Sequence, residues 1–261
     1  MSTRGPLLLI IAPLVGSTQA LWAQVTFGQA VPLEERHLPL LLMGFVLLAV
    51  VAGLFHWMNG RQRQRDMQAL ADRLELSFSP DTDTSLDGYL GFPVLCQGDE
   101  RQAWNIMEGF HQGFAVLAFD YRYSSGSGKN RRTTRLTVAV ITSAFPLQPL
   151  LIRPEGFFDQ VAEFFGFDDI DFELAEFNDR YFVKGPNKRW AYDLLHQRAM
   201  EFLLQRPRMS LEIDTSKVIV WSGSVMTVPQ LEQAIGTAIG LLELVPDYVK
   251  ESQRKQRWAE R

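Results

Sequence analysis

Residues Leu38 to Met58 form an unbroken apolar run, LPLLLMGFVLLAVVAGLFHWM, without a single Asp, Glu, Lys or Arg. As a helix, a run of that length rises about 31 Å, which matches the hydrocarbon core of a bilayer. A soluble helix keeps a polar face and this one has none, so the run reads as a transmembrane helix. His56 and Trp57 stand at its end, where amphipathic rings suit the interface. Arg61, Arg63 and Arg65 follow the run, whereas Glu34, Glu35 and Arg36 precede it. The positive-inside rule then directs the C-terminal side to the cytoplasm.

This reading divides the chain into six parts. Residues 1–23 are a signal peptide or a first membrane span: Arg4 precedes a short apolar run, and small residues near Ala20 and Ala23 suit cleavage. Residues 24–37 are a short exported loop, 38–58 the transmembrane helix and 59–76 a juxtamembrane helix. Met67, Leu70, Ala71 and Leu74 keep helical spacing through that last stretch. Residues 77–249 form a cytosolic domain, and 250–261 are a basic tail in which Trp258 could anchor at an interface.

Within the domain, Tyr89–Cys96, Gln102–Phe110, Phe114–Tyr123 and Thr133–Ser143 read as strands. The last two form a long hairpin around the Gly- and Ser-rich stretch 124–132, expected to be a flexible tip. Pro154 opens a helix with a Phe-rich stripe that ends near Gly166. Ile170–Leu174 and Asn178–Lys184 read as short strands, and Lys188–Gln205 as one helix stopped by Pro207. A tight hairpin, Met209–Ile213 with Lys217–Trp221, precedes a final helix whose capping box is Thr227 with Gln230. The expected fold is α+β, a mostly antiparallel sheet with helices on one face.

Composition narrows the chemistry. A single cysteine, Cys96, excludes a disulfide framework and multi-cysteine metal sites, and a net charge of −4 argues against a nucleic-acid binder. Gly126–Lys129, GSGK, lacks the first glycine and the trailing hydroxyl of a phosphate loop, and a strand follows it. Asp81–Gly88 lacks the turn glycine and the glutamate of a calcium loop. On a strand, Asp169, Asp171 and Glu173 would share one face; they are weak candidates for a hard cation and equally a protective charge on an edge strand. His37, His56, His111 and His196 have no metal-ligand spacing, Cys96 is expected to be a buried structural thiol, and Gly236 and Gly240 are expected to serve close helix packing. No catalytic residue and no cofactor is assigned. Arg61, Arg63, Arg65, Lys129, Arg131 and Arg132 are the candidates for contact with anionic lipid or a partner.

The stretches GFAVLAFDYRYSSGSGKNRRTT, LLIRPEG, IDFELAEFNDRYFV and WAYDLL resemble an uncharacterised bacterial family of membrane-anchored proteins, a domain-of-unknown-function family, over about residues 66–245. The resemblance implies one soluble domain beside one or two N-terminal spans, and it carries over no catalytic residue. Together these readings lead to a protein of the bacterial inner membrane whose main domain faces the cytoplasm. Its expected role is an interaction or scaffold domain, with the lipid bilayer and a protein partner as contacts. A cation- or ligand-dependent module using the acidic stretch, or a structural subunit of a larger membrane complex, are the alternatives.

Overall fold

The computed structural model describes residues 38–84, 92–154 and 169–259. The chain divides into two compact units, Met1–Met58 and Asn59–Arg261. One helix, α1 (Leu38–Leu74), runs through the boundary without a break. Its apolar part leaves Phe45, Leu47 and Leu48 in the open, and by length and composition alone the helix could cross a membrane.

The second unit is an α+β body built on an eight-stranded sheet. Its strands are β1 (Ser77–Ser79), β2 (Asp99–His111), β3 (Phe114–Ser125), β4 (Arg132–Thr142), β5 (Leu150–Pro154), β6 (Tyr181–Lys184), β7 (Ser210–Asp214) and β8 (Lys217–Trp221). Their order across the sheet is β1-β2-β3-β4-β8-β7-β5-β6, and every neighbouring pair is antiparallel. Alternation in β3 and β4 places Val116, Ala118, Ala139 and Ile141 on one face and Leu117, Phe119, Val138 and Val140 on the other.

The first face carries the larger core. Met67, Leu70, Ala71 and Leu74 of α1 pack there beside Leu231, Ile235 and Leu242 of α6 (Val228–Leu244). Thr227 and Gln230 close the expected capping box at the start of α6, with Thr227 N–H donating to Gln230 Oε1 at 2.8 Å. Gly240 lets α6 approach its neighbour: a Cβ there would lie 2.5 Å from the ring of Phe202, whereas Gly236 faces open space.

The opposite face is covered by a smaller apolar cluster that includes Phe92, Val94 and Leu95. Val94 and Leu95 belong to α2 (Pro93–Cys96) and Phe92 is its N-cap, where a strand over Tyr89–Cys96 was expected, whose first three residues lie outside the described ones. Pro93 sits in the first helical turn, where its fixed φ and missing N–H are no handicap, and Val94 and Leu95 are buried instead of pairing as an edge.

Other departures have similar local causes. The chain makes one bridge, Asp169 to Lys184, and Ile170 N–H donates to the Val183 carbonyl at 2.9 Å, but the rest of the expected strand Ile170–Leu174 leaves the sheet. The Asn178 side chain takes both backbone groups of Phe172, at 3.0 and 2.7 Å, which a strand would have needed. The turn of helix α3 (Ala175–Asn178) follows, and β6 begins only at Tyr181. The helix expected over Lys188–Gln205 is two, α4 (Lys188–Leu194) and α5 (Gln197–Leu204), with His196 extended between them as the N-cap of α5. Pro154 ends β5 opposite Tyr181, and the helix expected beyond it lies outside the described residues. The expected basic tail is helical: α7 (Asp247–Ala259) buries Val249 and Gln253, and Gln148 donates to Gln253 Oε1 at 2.9 Å. The side chain of Trp258 lies outside the described residues.

Candidate functional site

Three groups of side chains stand out against this framework. The first is a polar cluster inside the larger core. Asp120 replaces an apolar residue in the alternation of β3 and is almost fully buried, at 2% exposure. Arg63 of α1 reaches it with both arms of its guanidinium, Nε donating to Oδ2 at 3.1 Å and Nη2 to Oδ1 at 2.7 Å. Thr137 of β4 donates to Oδ1 at 2.8 Å and Asn105 of β2 to Oδ2 at 2.9 Å. Arg63 also donates to the Met226 carbonyl at 2.5 Å, just before α6. A charge so deep is stable only when paired and hydrogen-bonded, and here one carboxylate joins a helix to three strands. Asn105 enters the cluster because β2 carries an extra residue between Trp104 and Met107, with Asn105 at φ 53°.

Arg63 therefore stands apart from the other residues put forward for lipid or partner contact: it faces inward. Arg61 and Arg65 lie on the exposed side of α1. Lys129, Arg131 and Arg132 gather at the β3–β4 tip. That tip is a turn of 3-10 helix, Gly128–Asn130, and not an open flexible loop. Arg131 pairs with Glu100 of β2 at 2.6 Å. Gly126, at φ 81°, is required there, because a Cβ would fall 2.6 Å from the Asn130 carbonyl.

The second group is an open groove of about 700 Å³ lined by Asp171, Glu173, Phe172, Tyr192, His196 and Met200, among others. It brings Asp171 and Glu173 together but not Asp169, which turns away to Lys184 at 3.4 Å. Among the described residues no set of three or more His, Cys, Asp or Glu side chains is arranged to hold a metal ion. Phe172 and Tyr192 meet edge to face at 5.3 Å. His196 donates through Nε2 to the Leu244 carbonyl at 3.0 Å, satisfying the end of α6.

The third feature lies on the other face of the sheet. Glu212 of β7, 1% exposed, accepts from Trp221 Nε1 at 3.2 Å and from the Val94 N–H at 3.4 Å. Burial pushes its carboxyl up to about 7, against the smaller opposing pull of these hydrogen bonds and of Arg153. It thereby fastens α2 to the sheet. Cys96 at the end of α2 is half-buried, and burial raises its thiol as well, which makes it a weak nucleophile.

No family model matches the chain, and no curated protein matches it in sequence. Among solved structures, the body is similar to that of the mycobacterial trehalose monomycolate transport factor A, TtfA. The TM-score is 0.53 at 14% identity, over 71% of this chain and 97% of that one. The likeness is one of fold.

Sequence reasoning passed over the Arg63–Asp120 cluster and Glu212. Asp120 left a signal, an acid breaking the apolar run of AVLAFDY, whereas Glu212 keeps the polar phase of MSLEID and looks like an outward-facing residue.

Proposed function

We propose that this chain is a membrane-tethered scaffold or accessory protein. In this reading Leu38–Met58 crosses a bacterial inner membrane, and the α+β body offers a binding surface to a protein or lipid on the cytoplasmic side. The observation that carries it is the continuity of α1. Its first part is apolar on every side, and its last part supplies Met67, Leu70, Ala71 and Leu74 to the core of the body. Arg63 adds a bidentate bond to the sheet. A body that takes the end of its anchor helix into its own core is suited to keep a binding surface beside a bilayer. The resemblance to membrane-anchored bacterial proteins and the fold shared with a transport factor both support an accessory role.

Fractionation and protease access test this directly. The full chain is expected to pellet with membranes, to resist carbonate extraction, and to be cut by added protease only after the cells are opened. A body digested in sealed cells would reverse the orientation, and a chain left in the supernatant would end the tether reading. Purification in mild detergent then identifies what co-migrates; a fixed set of subunits would favour a structural role in a larger complex.

A further inference from the structure

Bond directions show which residues share one end of the body. Arg63 bonds to Asp120, and the Leu74 carbonyl accepts from His111 Nδ1 at 3.2 Å, next to the start of β3. Hence β3 runs opposite to α1, from the Leu74 end toward the Asn59 end. Beyond Asp120 the strand continues to Ser125, about 17 Å further at 3.3 Å per residue. The β3–β4 tip therefore lies at the end from which α1 leaves the body.

In the same register Arg122 of β3 sits directly opposite Arg135 of β4, on the helix-bearing face one row beyond Asp120 and Thr137. Like charges placed opposite each other oppose sheet formation. Arg122 donates to the Gln102 amide oxygen at 2.6 Å, which leaves its charge uncompensated. Among the described residues neither Arg132 nor Arg135 meets a carboxylate. Among the described residues the acids beside this end are Asp83, bridged to Ala103, Asp99, across from Ser124, and Glu100, which Arg131 takes up. At the opposite strand ends cations stand beside acids instead: Lys184 pairs with Asp169 at 3.4 Å, and Lys217 lies across from Asp214.

We infer that this end of the body binds the phosphate groups of anionic lipid headgroups, with Arg122 and Arg135 as the central pair and Lys129 and Arg132 beside them. Planar guanidinium forks match phosphate oxygens two at a time, and an anion between the two arginines removes the repulsion the sheet otherwise carries. The inference rests on the tether reading above, which turns the Asn59 end toward the bilayer.

The test uses the full chain in lipid nanodiscs, with an environment-sensitive fluorophore at Ser127→Cys in a Cys96→Ser background. Discs of phosphatidylcholine alone are compared with discs containing phosphatidylglycerol. Phosphatidylglycerol is expected to shift the emission, and in Arg122→Gln/Arg135→Gln the fraction giving half the shift rises about tenfold or more. The double variant removes repulsion, so its unfolding temperature is expected to hold or rise, which separates lost binding from lost folding; if it does not fold, Arg135→Gln alone serves. The inference falls if the two disc types give the same emission, or if the double variant responds as the parent does. If inorganic phosphate added to phosphatidylcholine discs reproduces the full shift, the ligand is a soluble phosphate and the lipid assignment is overturned. A chain that enters discs without responding to their charge overturns this inference alone, whereas a chain that fails to enter them overturns the tether and this inference with it.

Discussion

Asp120→Ala is the sharpest perturbation of the body. It removes the acceptor of four hydrogen bonds, two from Arg63 and one each from Asn105 and Thr137, and leaves the guanidinium beside a void. Stripping one partner from a buried ion pair costs about 3–5 kcal/mol. Arg63 keeps 19% of its side chain exposed, so water recovers part of that loss and the lower bound, about 3 kcal/mol, applies. For a body of this size that corresponds to an unfolding temperature lower by about 6–12 °C. Thermal unfolding of the full chain in detergent measures it. Arg63→Met alone leaves the carboxylate buried and is expected to lose a similar amount. The double variant is expected to lose about 2 kcal/mol less than the two losses combined, because neither charge is stranded. A drop below about 2 °C for Asp120→Ala, or strict additivity in the double variant, would refute the account of Asp120 as the lock.

Three further outcomes follow from other parts of the molecule. The Glu212 carboxyl lies at about 7 in the fold against an ordinary 4.5, so the folded state holds its proton more tightly than the unfolded chain. Its contribution to stability is therefore fully present below the ordinary value and is lost as pH rises from about 4.5 through 7, by on the order of 3 kcal/mol. Glu212→Gln is expected to flatten that slope in unfolding curves taken between pH 5 and 8, and an unchanged slope would refute it. Gly126→Ala forces a side chain into left-handed backbone against the Asn130 carbonyl and is expected to cost about 1–2 kcal/mol, read as a lower urea midpoint at unchanged m-value. Val50→Arg places a charge mid-run, at about 3 kcal/mol against insertion, and is expected to move a sizeable share of the chain out of the carbonate-resistant pellet.

What could be read in the residues was whatever depends on repetition along the chain. The apolar run of α1, the alternation of β3 and β4, and the Thr227–Gln230 cap each span enough residues to reveal their period or partner locally. Short elements were misread because distant contacts decide them. Apolar content alone suggested a strand at Tyr89–Cys96, but Val94 and Leu95 serve better as a lid held down by Glu212. The break at His196 exists because its ring satisfies Leu244, far along the chain. The same holds for the candidate contact residues. Local charge near the apolar run treats Arg61, Arg63 and Arg65 alike, and only the position of Asp120 separates Arg63 from the other two. Arg122 and Arg135 become a pair only once the hairpin register is known.

The order of the sheet has a consequence for synthesis. The meander β1-β2-β3-β4 comes from the early part of the chain and β5 to β8 from the late part, and in the sheet the two halves pair along β4 and β8. On the ribosome, β4 is complete at Thr142 while its neighbour at Lys217–Trp221 has yet to be made. At about 5–20 residues per second, that inner border stays unpaired for several seconds. An apolar strand with open backbone groups is then exposed to any passing extended segment, so aggregation during translation and not after it is the hazard this topology carries.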